Sequence, residues 1–173
     1  MSAALVIIGL VALERLVELI YSARNTRALL ARGGVEIGRA HYPLIVLLHA
    51  AWLVSLILFL PKPVFLQWAW LAVFVVLQGL RIWVLTILGP YWTTRIVTVP
   101  GAPLVRRGPY RFVRHPNYAI VVGEILSLPL VFGEVTVAIV FSLLNAAVLA
   151  WRISVEDRAL AARRDGEKVP RSA

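Results

Sequence analysis

The stretch from Val64 to Leu88, VFLQWAWLAVFVVLQGLRIWVLTIL, decides the fold class of this chain. Arg81 is its only charged residue. A helix that crosses the hydrocarbon core of a bilayer needs about 20 predominantly apolar residues. The segment meets that requirement in length and in composition. It predicts a membrane-spanning helix, and the rest of the sequence is interpreted outward from it.

The composition of the whole chain agrees with a membrane protein. Of its 173 residues 60% are hydrophobic and 16% are charged, and the mean hydropathy is +0.82. Soluble domains have about half apolar and about a quarter charged residues. The formal net charge of +9 would suggest nucleic acid binding in a soluble chain. Here the basic residues lie between apolar runs, so we expect no nucleic acid partner. The absence of Cys excludes disulfides, thiol nucleophiles and Cys-ligated metals.

Four further apolar segments resemble the first, and turn residues separate them. Pro61-Lys62-Pro63, Gly89-Pro90 and Gly133-Glu134 mark the breaks. The sequence predicts an all-α polytopic protein with five transmembrane helices. We expect residues 1–89 to form a three-helix N-terminal region on the substrate side, and residues 90–173 to form a loop, a helical hairpin and a C-terminal segment. The four further segments are Ala3–Tyr21, Leu44–Leu60, Pro116–Phe132 and Val135–Trp151.

The basic residues are distributed unequally between the loops. Four follow the first apolar segment, five follow the third and six follow the fifth, which makes 15 of the 18 Lys and Arg. Cytoplasmic loops of membrane proteins carry the excess of Lys and Arg. The pattern predicts an N-terminus outside and a C-terminus in the cytoplasm.

Ionisable side chains inside the predicted spans all fall in the cytoplasmic half. Such residues are costly in a bilayer and are functional candidates by default. One interpretation is structural, with Arg81 paired to a carboxylate and Arg15 to Glu18. The favoured interpretation is a polar cavity open to the cytoplasm, because nothing charged lines the opposite leaflet. The residues concerned are Glu14, Glu18, His49, Arg81 and Glu124, and Asn25 shares a helix face with Glu14 and Glu18.

The segment before the fourth span is too rich in Pro, Gly and Arg for a relaxed linker. Gly108 to Tyr118 reads GPYRFVRHPNY. Contact with anionic headgroups explains Arg106 and Arg107, but it requires no fixed string. Beyond the fifth span, Arg152 and Glu156 are four apart and share a helix face. Taken alone, this pair is as consistent with a surface ion pair as with a site.

Together these motifs resemble the isoprenylcysteine carboxyl methyltransferase family of membrane enzymes. The resemblance covers about residues 100–160, from Leu104-Val105 through the Gly108–Tyr118 string and a helical hairpin to Arg152, Glu156-Asp157 and Leu160. The N-terminal half is similar to a bacterial branch whose members O-methylate alkylpyrones. Two positions depart from the family pattern. Ile120 stands where a Gly is common, which questions close helix packing there, and Asp157 replaces a Glu.

The resemblance implies S-adenosylmethionine as cofactor and no metal, with a cytoplasmic cofactor pocket. The implied cofactor-binding residues are Arg114, His115, Pro116, Tyr118, Arg152 and Glu156. An anionic acceptor oxygen needs a cation for orientation, and Arg81 or Arg111 is the candidate. A less acidic hydroxyl needs a base, for which Glu124 ranks first, with Glu14 and His49 as alternatives. The expected substrate-binding residues are Glu14, Glu18, Asn25 and His49.

Two other functions are consistent with a small helical membrane protein. Some membrane sterol reductases share this C-terminal architecture and bind NADPH, although they are longer. A non-enzymatic transporter or scaffold is the second alternative, and the unequal leaflet polarity argues against it. A Gly-x-Gly-x-x-Gly motif after a strand is absent, so the soluble methyltransferase fold is not expected. Residues 33–38 are expected to form a loop, either a simple turn or a substrate gate. We also expect a lipophilic small-molecule substrate and contact with membrane lipids, and the small size of the chain is consistent with a homodimer.

Overall fold

The computed structural model describes residues 3–39, 42–101, 105 and 107–168, with side chains described as far as Arg158. The described chain is mostly helical, as expected. Two 3₁₀ turns, Gly89–Tyr91 and Gly108–Arg111, interrupt the connection between the third and fourth helices. The helices are α1 (Ala3–Ala31), α2 (Tyr42–Leu58), α3 (Trp68–Leu88), α4 (Pro116–Val131) and α5 (Val135–Lys168).

Two of these helices are long and apolar enough to cross a membrane, where the sequence predicted five spans. They are α3 with its following turn, over Trp68–Tyr91, and the first part of α5, over Val135–Arg158. Helices α2 and α4 are apolar but have only 17 and 16 residues. At 1.5 Å per residue such helices are about 25 Å long, against a hydrocarbon core of about 30 Å. Helix α1 carries charged residues within its length.

Helices α1 and α5 are longer than the apolar segments that predicted them. Helix α1 continues past Tyr21 and ends at Ala31, two residues before Gly33, which has a φ of +79°. Helix α5 continues past Trp151 to Lys168. A hydropathy profile shows where the apolar part of a helix ends. The helix itself continues until its backbone hydrogen-bonding pattern stops. The extension of α5 places Arg152 and Glu156 on one continuous helix.

A small antiparallel sheet joins two distant loops and was not predicted. Strand β1 (Val35–Ile37) pairs with β2 (Ile96–Thr98), with Glu36 opposite Val97. The segment 33–38, expected to be a loop, therefore contains a strand. Local sequence gave no sign of it because the partner strand follows about sixty residues later. Arg95 donates to Glu36 at 2.8 Å and adds an ion pair beside the sheet.

The apolar core has its largest side chains in the second half of α2 and around the end of α4. Its largest fully buried side chains include Trp52, Leu56, Ile125, Leu128 and Phe132, from α2 and from the end of α4. Pro129 lies within the last turn of α4, and the helix ends at Val131. This end of the bundle is mostly apolar but includes the buried carboxylate of Glu134.

Helices α3 and α4 approach each other closely at Gly123. A Cβ atom added to Gly123 would lie 2.8 Å from the Cδ1 atom of Leu77. Ile120, the departure from the family pattern, is buried at 5% exposure. Close packing of α4 is therefore achieved one turn further along the helix, at a different glycine.

Replacing Gly123 with valine should destabilise the helix pair. Overpacking of a close contact costs about 1–3 kcal/mol, and the branched Cβ of valine must displace Leu77. Gly79→Ala is the matched control on α3, because a Cβ there meets nothing within 4 Å. Alanine is favoured over glycine in a helix by about 0.5–1 kcal/mol. Unfolding in detergent should show Gly123→Val less stable and Gly79→Ala equal to or above the unsubstituted protein. Equal stability of both variants would contradict the close approach.

Candidate active site

Five ionisable side chains form a buried network between α1, α3 and α4. Arg81 donates through Nε and Nη2 to Glu18, the latter at 2.6 Å, and through Nη1 to Glu124 at 3.0 Å. Arg15 contacts Glu14, Glu18 and Glu124 at 3.1–3.3 Å. Gln78 donates to Glu124 at 3.0 Å. The pairing of Arg81 with a carboxylate and of Arg15 with Glu18, the structural interpretation, is therefore what the structure shows.

The network occupies both oxygens of Glu124. Oε1 accepts from Arg15 and Gln78, and Oε2 accepts from Arg81. Glu124 is buried at 3% exposure and is not among the residues that line the neighbouring cleft. The candidate ranked first as a base thus has both of its oxygens bonded to other side chains.

Within the described part of the chain no group of three or more His, Asp or Glu side chains is placed to hold a metal ion.

A cleft lies beside this network, so a polar cavity is present as well as the pairing. Its volume is about 80 Å³, enough for a few water molecules or the reacting end of a ligand. Arg81 and His49 are the two candidates from the predicted spans that line it. The lining is polar on the side of the α3–β2 connection and apolar between α2 and α5. The other lining residues are Ile45, Leu48, Trp92, Thr93, Thr94, Asn117, Tyr118, Val121, Asn145, Val148, Leu149 and Arg152.

Tyr118 connects the motif at the start of α4 to the motif on α5. Its hydroxyl donates to Glu156 and accepts from Arg152 Nε at 2.7 Å. His115 stacks on the Tyr118 ring, with ring centroids 5.3 Å apart and planes at 19°. His115 also lies 3.7 Å from Glu156 and 3.6 Å from Asp157. The structure therefore brings His115, Tyr118, Arg152 and Glu156 together, although nearly forty residues separate the two motifs.

The helix start at Pro116 explains this geometry. Proline is favoured at the first turn of a helix because it lacks an N–H that would remain unpaired. His115 precedes the helix with an extended-type φ of −128°, and its carbonyl accepts from the backbone of Tyr118 and Ala119. Pro116 itself is buried and does not line the cleft. Its contribution is to fix the positions of the residues around it.

Two arginines expected at the site lie outside the cleft. Arg114 and Arg111 are exposed, and Arg111 rests 6.0 Å from the Phe112 ring centroid. Neither residue is among those lining the cleft. Leu104 and Arg106, part of the predicted motif region, lie outside the described residues. Nearby, burial and the Glu156 carboxylate raise the pKa of Tyr110 above its ordinary value, so this phenol is neutral at physiological pH.

Asn25 was predicted to bind substrate. In the structure it hydrogen-bonds to the backbone behind the wall of the cleft and does not line the cleft itself. Its Nδ2 donates to the carbonyl oxygens of Gly89 at 3.2 Å and Trp92 at 2.8 Å. Ser22 Oγ accepts from the backbone N–H of Thr94 at 2.8 Å. The Tyr21 ring stacks on Trp92 at 5.9 Å. This face of α1 therefore positions the connection that carries Trp92, Thr93 and Thr94 into the cleft. Glu14 and Glu18 also act through the network and are not among the lining residues.

Sequence reasoning missed two amide side chains in the cleft wall. Asn117 Oδ1 and Asn145 Nδ2 are buried and have no hydrogen-bond partner among the described residues. Asn145 lies in the middle of the fifth apolar segment and is only 2% exposed. A polar amide inside an apolar helix is the signal that could have identified it. Buried polar atoms without partners are uncommon and indicate a contact with a bound water or a ligand.

Comparison with known proteins gives a consistent family assignment. Residues 70–162, more than half of the chain, match the isoprenylcysteine carboxyl methyltransferase (ICMT) family. A Bacillus subtilis protein described as uncharacterized protein YpbQ is 37% identical over 158 residues, which are 89% of this chain and 94% of the relative. A Haemophilus influenzae protein, also described as uncharacterized, is 26% identical over 151 residues, 84% of this chain and 88% of the relative. No solved structure is significantly similar to the chain.

Proposed function

Because the chain belongs to the isoprenylcysteine carboxyl methyltransferase family, we propose that it transfers a methyl group from S-adenosylmethionine to an oxygen of a lipophilic acceptor. The acceptor oxygen belongs to a carboxylate, an acidic enol or a phenol on a prenyl or alkyl compound, such as an alkylpyrone. The observation that carries the proposal is the hydrogen-bonded group formed by Tyr118, Arg152 and Glu156, of which Tyr118 and Arg152 line the cleft.

The side chains around Tyr118 fit the chemistry of this cofactor. S-adenosylmethionine carries a carboxylate, for which Arg152 is a suitable partner. It also carries ribose hydroxyls, which can donate to the carboxylate of Glu156, and an adenine ring, which can stack on the aromatic pair of His115 and Tyr118. Asn117 Oδ1 is a hydrogen-bond acceptor and Asn145 Nδ2 is a donor, and neither has a partner among the described residues. The donor set therefore matches the polar groups of the cofactor.

When bound, the cofactor supplies an electrophilic methyl group on a sulfonium. The task of the chain is to hold the acceptor oxygen in line with that methyl group and to exclude water. Leu48, Val121, Val148 and Leu149 provide the apolar part of the cleft wall. These apolar side chains are suited to contact the lipophilic part of an acceptor, and the polar side chains of the wall are suited to hydrogen-bond to its oxygen.

The proposed setting is a bacterial inner membrane with the cleft towards the cytoplasm. All five apolar segments then cross or enter the bilayer, α2 and α4 as short spans. The distribution of Lys and Arg supports this orientation. A lipophilic acceptor would be taken from the surrounding lipid.

Calorimetric titration of the detergent-purified protein with S-adenosylhomocysteine tests the cofactor assignment. We expect binding of S-adenosylhomocysteine and none of NADPH. Of the two arginines among the described lining residues, Arg81 is paired with Glu18 and Glu124, and Arg152 is linked through the Tyr118 hydroxyl to Glu156, so neither is left for a 2′-phosphate. Binding of NADPH alone would assign the chain to the reductase class. Binding of neither nucleotide would remove the support for an enzyme that uses S-adenosylmethionine.

A further inference from the structure

The cation that lines the cleft is already neutralised by its neighbours. Arg81 has a 6% exposed side chain and donates to Glu18 and Glu124 through all three of its nitrogens. The whole network contains two guanidiniums and three carboxylates. With every group ionised it carries one excess negative charge. Arg81 therefore has little attraction left for an acceptor that arrives as an anion.

The second cation in the cleft wall is balanced in the same way. Arg152 donates to the Tyr118 hydroxyl, which in turn donates to Glu156. Under the proposed function Arg152 and Glu156 are assigned to the cofactor. Neither end of the cleft presents an unneutralised positive charge from the described residues that would select a carboxylate or an enolate.

His49 offers the cleft a neutral proton acceptor. Its Nδ1 lies 2.9 Å from the backbone carbonyl oxygen of Ile45, one turn back on α2. A carbonyl oxygen only accepts, so Nδ1 carries the hydrogen of this bond. In the neutral ring Nε2 then holds a lone pair and can accept a proton. The edge-on Trp52 ring, 6.5 Å away, also constrains the imidazole.

The other side chains that line the cleft cannot take this role. Arg81 and Arg152 are permanent cations, and Tyr118 uses its hydroxyl hydrogen in a bond to Glu156. Asparagine and threonine side chains are not bases at neutral pH. Glu124 is committed to Arg15, Gln78 and Arg81. Among the described residues of the lining, His49 is the one available base.

We propose that the acceptor enters the cleft as a neutral hydroxyl and that His49 Nε2 removes its proton during methyl transfer. This inference rests on the proposed function and narrows its substrate class to weakly acidic hydroxyls of the phenol type, which are protonated at neutral pH. The bond from oxygen to methyl carbon forms while the bond from carbon to sulfur breaks. The electron pair of that bond goes to sulfur, which becomes a neutral thioether, and the hydroxyl proton goes to Nε2.

The test compares two acceptors in the full-length protein in detergent. One is a phenol with a long alkyl chain, and the other is the same compound with two ring nitro groups ortho and para to the hydroxyl, which make it fully ionised at neutral pH; it is called the nitrophenol below. His49→Asn retains an amide N–H that can bond to Ile45 but lacks a basic nitrogen. His49→Gln places an amide at the position of Nε2 and serves as a second variant. The readouts are formation of the methyl ether, affinity for S-adenosylhomocysteine and thermal unfolding.

We expect the unsubstituted protein to methylate both phenols. In both variants methylation of the alkylphenol should fall by about 10²–10⁴-fold, the usual contribution of a general base. Methylation of the nitrophenol should stay within a few-fold, because that acceptor arrives without its proton. Affinity for S-adenosylhomocysteine should not change.

Three results would overturn the inference. If both variants fold and methylate the alkylphenol and the nitrophenol with equally reduced activity, His49 has a structural role. Undiminished methylation of the alkylphenol would indicate another base. Methylation of only the nitrophenol or of carboxylic acids by the unsubstituted protein would show that the acceptor enters as an anion, with the proposed function intact. Failure of the unsubstituted protein to bind S-adenosylhomocysteine would instead refute the proposed function itself.

Discussion

Replacing Arg81 with methionine is expected to destabilise the protein more than any other single change in the helix bundle. The substitution leaves Glu18 and Glu124, with side chains 8% and 4% exposed, without their main cationic partner. Breaking a buried ion pair by removing one partner costs about 3–5 kcal/mol. A typical domain has a total stability of about 5–15 kcal/mol. Unfolding in detergent, followed by circular dichroism, should show a large loss of stability or no folded protein.

A double variant separates the charge effect from the loss of Arg81 packing. Arg81→Met with Glu18→Gln restores the excess of one carboxylate over guanidiniums that the unsubstituted network has. It should recover part of the lost stability. Arg27→Met is the matched single control, because Arg27 lies exposed on α1 and, among the described residues, donates to the Ala23 carbonyl alone, at 3.3 Å. A double variant no more stable than Arg81→Met, or a control equally destabilised, would contradict the role assigned to the network.

Replacing Arg152 with alanine is expected to weaken the binding of S-adenosylhomocysteine by at least about 30-fold. Under the proposed function Arg152 contacts the cofactor and also fixes the Tyr118 hydroxyl at 2.7 Å. Its loss removes a charged partner of the cofactor and frees the ring that stacks with His115. Truncating a buried charged partner at an interface costs about 2–5 kcal/mol, which is at least a 30-fold loss of affinity by the relation of 1.4 kcal/mol per tenfold. Calorimetric titration measures this change directly.

Arg158 provides the control on the same helix. It lies nearly two turns beyond Arg152, is exposed and donates to the Ser154 carbonyl at 3.0 Å. Arg158→Ala removes the same charge from α5 without touching the cleft. Its affinity for S-adenosylhomocysteine should match that of the unsubstituted protein. If Arg152→Ala binds as tightly as Arg158→Ala does, Arg152 is not part of the cofactor site.

The mostly helical fold and the family could be predicted from local sequence. The Val64–Leu88 run is apolar along its whole length, so its interpretation required no partner. The string from Gly108 to Tyr118 has a fixed order of residue types, which is why a resemblance could be recognised from it. The predicted five spans are only partly matched, because α2 and α4 are short and hydropathy alone does not fix where a helix begins.

The contacts of the site residues were predicted less completely than the fold and the family, and three examples show the reason. The Arg152 and Glu156 pair was consistent with a surface ion pair until Tyr118 was found between them. Glu124 ranked first as a base because of its distance from Tyr118 along α4. The structure shows that both of its oxygens accept from other side chains. Asn25 shares a face with the predicted substrate residues, yet it bonds to the backbone of the α3–β2 connection.

The sequence by itself determined that the chain is a mostly helical membrane protein of this family and that its ionisable residues collect towards one end. Hydropathy and residue order along one segment carry that information, because each helix satisfies its own backbone hydrogen bonds. Only the tertiary structure decided which charges pair, which side chains face the cleft and that β1 meets β2. Those properties depend on the relative rotation and approach of α1, α3, α4 and α5, which packing contacts such as Gly123 against Leu77 set. Contacts between residues distant in sequence leave no periodic signal in either segment.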